Sequence, residues 1–226
     1  MSKGRGLWIA GLASLCAASG ALAMDLDIRE PFVFLSGKVT GQEQRILQAA
    51  IEAHPDITTV VLKNSPGGDA RAGYATGEYI REKGLATLLS GYCRSSCSRM
   101  FLGGKTRAYS DDQPLEKTVV AFHGNYQPDG SLHQARMSQL KEWIIKYSDG
   151  KASPALVEQW VNLPTHKGFA YFYHPQAATG LGPDGVLLCQ GHEDPRQRNT
   201  QCAQPGQGDA LANGIVTTLE IFKIPK

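Results

Sequence analysis

Residues 57–93 constrain the fold most. They read ITTVVLKNSPGGDARAGYATGEYIREKGLATLLSGYC: an apolar β-branched run, a glycine turn, a helical pattern and a second apolar run. A short continuous apolar run bounded by turn residues suits a strand buried on both faces. Two such runs joined by a helix make a β-α-β unit, whose strands lie parallel because the helix crosses back over the sheet. The sequence predicts strands over 57–64 and 85–93 and a helix over 70–84. Small residues at 70, 73 and 77 are expected to let that helix pack closely onto the sheet.

The alternation extends both ways. PFVFLSGKV (31–39) reads as a strand. TGQE (40–43) has capping-box form, with Thr40 as cap and Glu43 three residues on. Ile46, Leu47, Ala50 and Ile51 then share a helical face that ends at Pro55. Further on, SSCSRMFLGG begins a short helix, and TRAYS (106–110) and TVVAFH (118–123) read as strands. Met137, Leu140, Ile144 and Tyr147 mark an amphipathic helix over 132–148, and PALVEQWVNL (154–163) is another. The order β-α-β-α-β-α-β-β-α-α implies an α/β fold with a mostly parallel sheet and helices packed on it. Beyond about residue 164 the pattern weakens. QGHEDPRQRNTQCAQPGQGD (190–209) is polar and turn-rich, is bracketed by Cys189 and Cys202, and reads as a disulfide-tied excursion. ALANGIVTTLEIFKI (210–224) then returns to helix and strand.

Residues 1–23 are set apart from the fold. Lys3 and Arg5 precede the apolar LWIAGLASLCAASGALA, and ALA at 21–23 has the small-x-small form of a signal-peptidase site. The segment is short for a permanent span, and Leu15 stands before Cys16 where a lipid-attachment signal has a small residue. Cleavage after Ala23 gives a periplasmic or secreted chain, 24–226, expected to be one domain of 203 residues (226 less 23). Without the signal, 21 basic residues balance 21 acidic ones, and no basic stripe points to nucleic acid. Four cysteines remain, Cys93, Cys97, Cys189 and Cys202. An even number in an oxidising compartment implies two disulfides and no metal. Three pairings exist, and the local one, 93 with 97 and 189 with 202, is favoured. A four-thiolate zinc site is the alternative, poorly served by three and twelve intervening residues.

Three elements carry chemistry. NSPGG (64–68) turns sharply from a buried strand into a helix, and its glycines let backbone N–H groups face a ligand. Alone it is a plain βα turn; with a nucleophile nearby such donors hold an oxyanion. YCRSSC (92–97) ends the next strand and enters a helix, which exposes a serine where the helix N-terminus favours negative charge. VVAFHG (119–124) delivers His123 at a strand end. Neighbouring strands would gather these at one edge of the sheet, the constellation acyl transfer needs.

NSPGG, CRSSCSRMFLGGKTR (93–107) and AFHG (121–124), within roughly residues 34–124, resemble the ClpP-like serine peptidases of the ClpP/crotonase superfamily. The nearest likeness is to an exported subgroup with a C-x-S-x-C form, matched by Cys93 and Cys97. The resemblance implies a ClpP/crotonase-like fold of repeated β-α units, Ser95 as nucleophile, His123 as base, and an oxyanion hole from the N–H groups of Gly68 and Ser96. It implies a peptide or protein substrate, no cofactor and self-association into a homo-oligomer. No ATPase partner is expected outside the cytoplasm. Ser96 and Ser98 are the other registers for the nucleophile, and Cys97 would need a free thiol.

The chain departs from the family pattern at two places. Arg94 stands before Ser95 in place of a small residue. The segment that supplies the family's triad acid, NLPTHKGFAYFYHPQ (162–176), holds no Asp or Glu. His166 and His174 lie there in packing or surface roles; Asp184, Asp194 and Asp209 lie in later loops. Lys63 and Lys105 are the lysines near enough in sequence for a Ser–Lys dyad, and neither sits in a matching motif. Two functions follow: an exported serine hydrolase of peptides, or a non-catalytic ClpP-like protein that binds peptide or protein after losing its triad acid.

Overall fold

Strand β3 (Thr59–Gly68) lies between β2 (Phe32–Val39) and β4 (Ala86–Arg94), parallel to both. Val60, Val61 and Leu62 are wholly buried. Val60 and Leu62 face one apolar cluster and Val61 another, as side-chain alternation requires in a strand covered on both faces. The computed structural model describes residues 24–177 and 180–225. The signal segment 1–23 lies outside the described residues.

β4 changes partner along its length. Residues 87–89 pair with β5 (Arg107–Ser110), and residues 92–94 pair with β6 (Val119–Phe122), both parallel. The change falls at Gly91, whose φ is 72°, and the Asn64 side chain occupies the space a Cβ there would need. Only glycine fits that position without strain. The divergence sends the end of β4 alongside β6, toward His123.

Beyond β6 the sheet turns antiparallel, through β7 (Phe169–Tyr173) and β8 (Val186–Cys189). β1 (Asp25–Arg29) adds antiparallel to β2, and β9 (Ile221–Phe222) adds parallel to β5. The order is β1-β2-β3-β4-β6-β7-β8, with β5 and β9 branching from β4. The sequence reading misses β1, β7 and β8. FAYFY has aromatics on both faces and no alternation with polar residues, so its periodicity gives no signal.

The helices α1 (Glu43–Ala53), α2 (Ala70–Glu82), α4 (Met137–Tyr147) and α5 (Pro154–Val161) fall where expected, with three differences. Only the glutamate half of the first capping box forms. Buried Glu43 accepts the N–H groups of Thr40 (2.7 Å) and Gly41 (2.8 Å), and the Thr40 hydroxyl donates to it rather than capping the helix. α4 starts at Met137 rather than 132. Leu132 bridges to Tyr126, and the His133 N–H donates to the Asn125 carbonyl (2.7 Å), which holds that stretch in a hairpin. Last, Gly73 and Gly77 of α2 pack against the backbone of α3 (Ser96–Gly103), not against the sheet. A Cβ on them would lie 2.5 Å from the Ser96 carbonyl oxygen and 2.6 Å from that of Arg99.

Both expected cysteine pairs sit at disulfide distance. Cα separations are 5.3 Å for Cys93–Cys97 and 4.6 Å for Cys189–Cys202, inside the usual range. The second bridge, with paired main-chain bonds between Leu188 and Ala203, closes the excursion that carries α6 (Arg198–Gln201). Its base packs on Val119, Ala121, Tyr171 and Tyr173, the sheet face away from α3.

Candidate active site

Ser95 occupies the turn between β4 and α3 with φ 55° and ψ −122°. A non-glycine residue there costs about 1–3 kcal/mol and persists only where its surroundings hold it. Four contacts do so. Its N–H donates to the Ala121 carbonyl of β6 (3.1 Å), extending the β4–β6 ladder. Its carbonyl accepts the N–H (3.0 Å) and hydroxyl (2.6 Å) of Ser98. The Cys93–Cys97 bridge clasps both flanks. Cys93 lies in β4 and Cys97 in the first turn of α3, so the bridge joins strand to helix and not two turns of one helix.

His123 follows β6 directly. Its Nε2 lies 2.8 Å from Ser95 Oγ, and its Nδ1 lies 3.1 Å from the His166 carbonyl oxygen. A carbonyl only accepts. Nδ1 therefore carries the proton, and Nε2 presents its lone pair to the serine hydroxyl. The ring lies flat on Phe169, with centroids 4.2 Å apart and planes 16° apart, so its tilt is fixed as well. Its pKa is lowered to about 3, first by burial and then by the nearby Arg99 guanidinium, against the raising effect of the His166 carbonyl. Arg99 is itself buried, donates to Asn125 Oδ1 (2.6 Å) and rests on the Tyr74 ring. Among the described residues it has no carboxylate partner at ion-pair distance.

The other sequence candidates lie elsewhere or do other work. Ser98 Oγ is spent on the Ser95 carbonyl, and Ser96 Oγ is buried without a partner among the described residues. Lys63 pairs with Asp112 (2.7 Å), and Lys105 sits by Gly84. His174 donates from Nε2 to the Leu219 carbonyl and accepts the Gln176 N–H at Nδ1, a packing role. Asp194 and Asp209 accept N–H groups of Arg196, and of Leu211 with Ala212, capping local turns, and Asp184 accepts the Gly208 N–H across the excursion. The segment 162–176 does orient His123, but through the His166 main chain. Any residue can supply a carbonyl, so the sequence holds no signal for it. The Phe169 stack is likewise invisible without the fold.

Two glycines shape the end of β3 opposite. Gly67, at φ 85°, faces the serine turn, and a Cβ on it would lie 2.7 Å from Ser95 Cβ and 3.0 Å from Ser96 N. Gly68 instead abuts Val39 and Lys38 of β2. A hollow of about 950 Å³ lies on the Gly68 and Tyr126 side of the pair. Another of about 600 Å³ is walled by Phe169 and His166.

Comparison with protein-family models gives no match, and comparison with curated protein sequences gives none either. Comparison with solved structures does. A ClpP1 point mutant from Listeria monocytogenes is 12% identical, at TM-score 0.51, over 85% of this chain and 92% of that one. A peptidase from Plasmodium falciparum is 10% identical, at TM-score 0.51, over 84% of this chain and 95% of that one. The fold is ClpP-like. In this ClpP-like chain the β-α units run through β4 and α3, the disulfide-tied excursion follows β8, and Ser95 and His123 meet at the end of the β4–β6 pair.

Proposed function

We propose that the chain is an exported serine hydrolase of peptides, with Ser95 as nucleophile and His123 as general base. The observation that carries this is the Ser95 Oγ–His123 Nε2 contact at 2.8 Å with the ring in the tautomer that accepts the serine proton. Serine is a weak nucleophile until an adjacent base removes that proton. As Oγ attacks a carbonyl carbon, the proton moves to Nε2; the same nitrogen returns it to the leaving amine, and water repeats the cycle to release the acyl group.

The oxyanion hole in this reading is formed by the N–H groups of Gly68 and Ser96. Ser96 opens α3, so its N–H has no partner within the helix. The Asp69 N–H donates to Val39 on β2, and N–H directions alternate along an extended chain. That alternation supports a Gly68 N–H turned away from β2, toward the serine turn that Gly67 touches. The hollows flanking the pair suit an extended substrate.

Replacing the triad acid by a carbonyl has a defined chemical consequence. In a Ser-His-Asp triad, loss of the acid's charge costs about 10⁴ in kcat, with the wrong histidine tautomer as the cause. The His166 carbonyl keeps the right tautomer and omits only the counter-charge for the imidazolium. A base with pKa about 3 is weak at neutral pH, so turnover is expected to be slow. Export after Ala23 belongs to the same proposal and is supported by the paired cysteines; N-terminal sequencing that finds Met1 on secreted material overturns it. Self-association is likewise proposed, and sedimentation reads it.

The test is hydrolysis of a mixed peptide pool by the unmutated protein, Ser95→Ala and His123→Ala. Both variants should abolish cleavage to a similar degree, because the two groups act as one unit. A pool left intact by folded, unmutated protein favours the alternative, a peptide-binding protein without catalysis, to which the missing carboxylate at Nδ1 also points.

A further inference from the structure

The 600 Å³ hollow lies on the sheet face opposite α3 and shares its wall with the reacting pair through His166 and Phe169. Cys93 points toward α3, so by alternation Arg94 points to the other face, beside Tyr92. The Arg94 guanidinium carbon is 4.7 Å from the Tyr92 ring centre and 5.8 Å from that of Tyr171; that of Arg198 is 4.9 Å from the Tyr171 centre. Two guanidiniums thus share one ring. Both also line a second hollow of about 470 Å³, with Lys117, while Lys167 lines the first.

Among the described residues neither arginine has a carboxylate at ion-pair distance, and Arg94 Nε is buried without a hydrogen-bond partner. Two acids line these hollows. Glu193 spends both oxygens on the N–H groups of Gln190 (2.6 Å), Gly191 (2.7 Å) and His192 (3.1 Å). Glu116 lines the second hollow only. Two like charges held together by aromatic stacking repel each other, and each offers a planar fork that matches a carboxylate. The excursion between Cys189 and Cys202 brings Arg198 to this place.

We infer that Arg94 and Arg198 form a carboxylate-binding subsite, which selects peptides bearing an acidic side chain or a free C-terminus beside the bond presented to Ser95. The inference rests on the peptide reading of the site. It gives a role to the arginine that departs from the family pattern and to the disulfide-tied excursion.

Four fluorescein-labelled alanine-based peptides test it: one Glu or one Gln at mid-chain, each with a free or amidated C-terminus. They are titrated by anisotropy against full-chain Ser95→Ala. A peptide carrying the recognised carboxylate is expected to bind at least tenfold tighter than the Gln amide, the scale of a charge-assisted pair, and to weaken with salt. The Glu–Gln comparison reads the side-chain source and the acid–amide comparison reads the terminal one. Adding Arg198→Ala or Arg94→Met should shrink the ratio below threefold, with circular dichroism showing that the variants fold. Equal binding of all four peptides, binding of none, or a ratio that survives both substitutions overturns the subsite. Fluorophosphonate labelling of the unmutated protein reads the hydrolase separately. Discrimination without labelling keeps the subsite and removes the hydrolase; labelling without discrimination does the reverse.

Discussion

Gly73→Ala tests whether the α2–α3 contact fixes the serine turn. Alanine raises intrinsic helix stability by about 1 kcal/mol over glycine, and Gly73 lies inside α2. The new Cβ would sit 2.5 Å from the Ser96 carbonyl oxygen and 2.9 Å from Ser96 Cβ, where ordinary contact begins near 3.4 Å. The start of α3 must therefore move by about 0.5–0.9 Å, and overpacking of this kind costs about 1–3 kcal/mol. The net expectation is a loss of about 0–2 kcal/mol in urea unfolding. The effect on reactivity should be larger, because a displacement near 1 Å of a reacting group costs about 10²-fold. Fluorophosphonate labelling of Ser95 should slow by about 10–100-fold. Glu78→Ala, exposed on the same helix, should leave both readouts within experimental scatter. A Gly73→Ala protein that gains the full helix increment and labels at the unmutated rate would refute the reasoning.

The remaining expectations concern pH, the first disulfide and the buried arginine. With His123 held at about 3, hydrolysis should persist on acidification to about pH 4 and not fall near the ordinary 6.5; a pH–rate profile with its acid limb at 6.5 contradicts the site as described. The same shift favours the neutral ring in the fold, so its stability contribution is lost as pH falls from about 6.5 toward 3, and His123→Gln should flatten that part of the stability curve. Removing both Cys93 and Cys97 opens a five-residue ring worth about 2 kcal/mol by loop entropy, and labelling of Ser95 should fall more than stability does. Arg107 is wholly buried and donates to the carbonyls of Gly104 (2.8 Å), Gly214 (2.9 Å) and Ile215 (3.0 Å). Arg107→Met leaves three acceptors unpaired and should lower Tm by several degrees, the sign of about 3 kcal/mol or more; an unchanged Tm would show that the C-terminal segment is held some other way.

The parallel half of the sheet was legible because its strands are short apolar runs set between helices of clear period. The antiparallel half was not: Phe169–Tyr173 is buried on both faces without alternation, and Val186–Cys189 is four residues long. Ser95 and His123 came from the resemblance to the ClpP-like peptidases, and the structure places them in contact. The partner of Nδ1 could not come from spacing, because a main-chain carbonyl has no residue type. The small residues of α2 were read correctly as a close contact and assigned to the wrong neighbour, since a sequence shows that a face is small and not what lies against it. Arg94 looked like a defect when only the serine turn was considered. Seen with Tyr171 and Arg198, it belongs to the opposite face of the sheet.

The central claim is that Ser95 is activated by His123 alone, oriented by a carbonyl. Its most direct measurement is fluorophosphonate labelling mapped by peptide mass spectrometry in the unmutated protein, Ser95→Ala and His123→Ala. One adduct is expected, on Ser95, absent in Ser95→Ala and slowed at least 100-fold in His123→Ala. An adduct on Ser96 or Ser98, or labelling of Ser95 at an undiminished rate without His123, would contradict it.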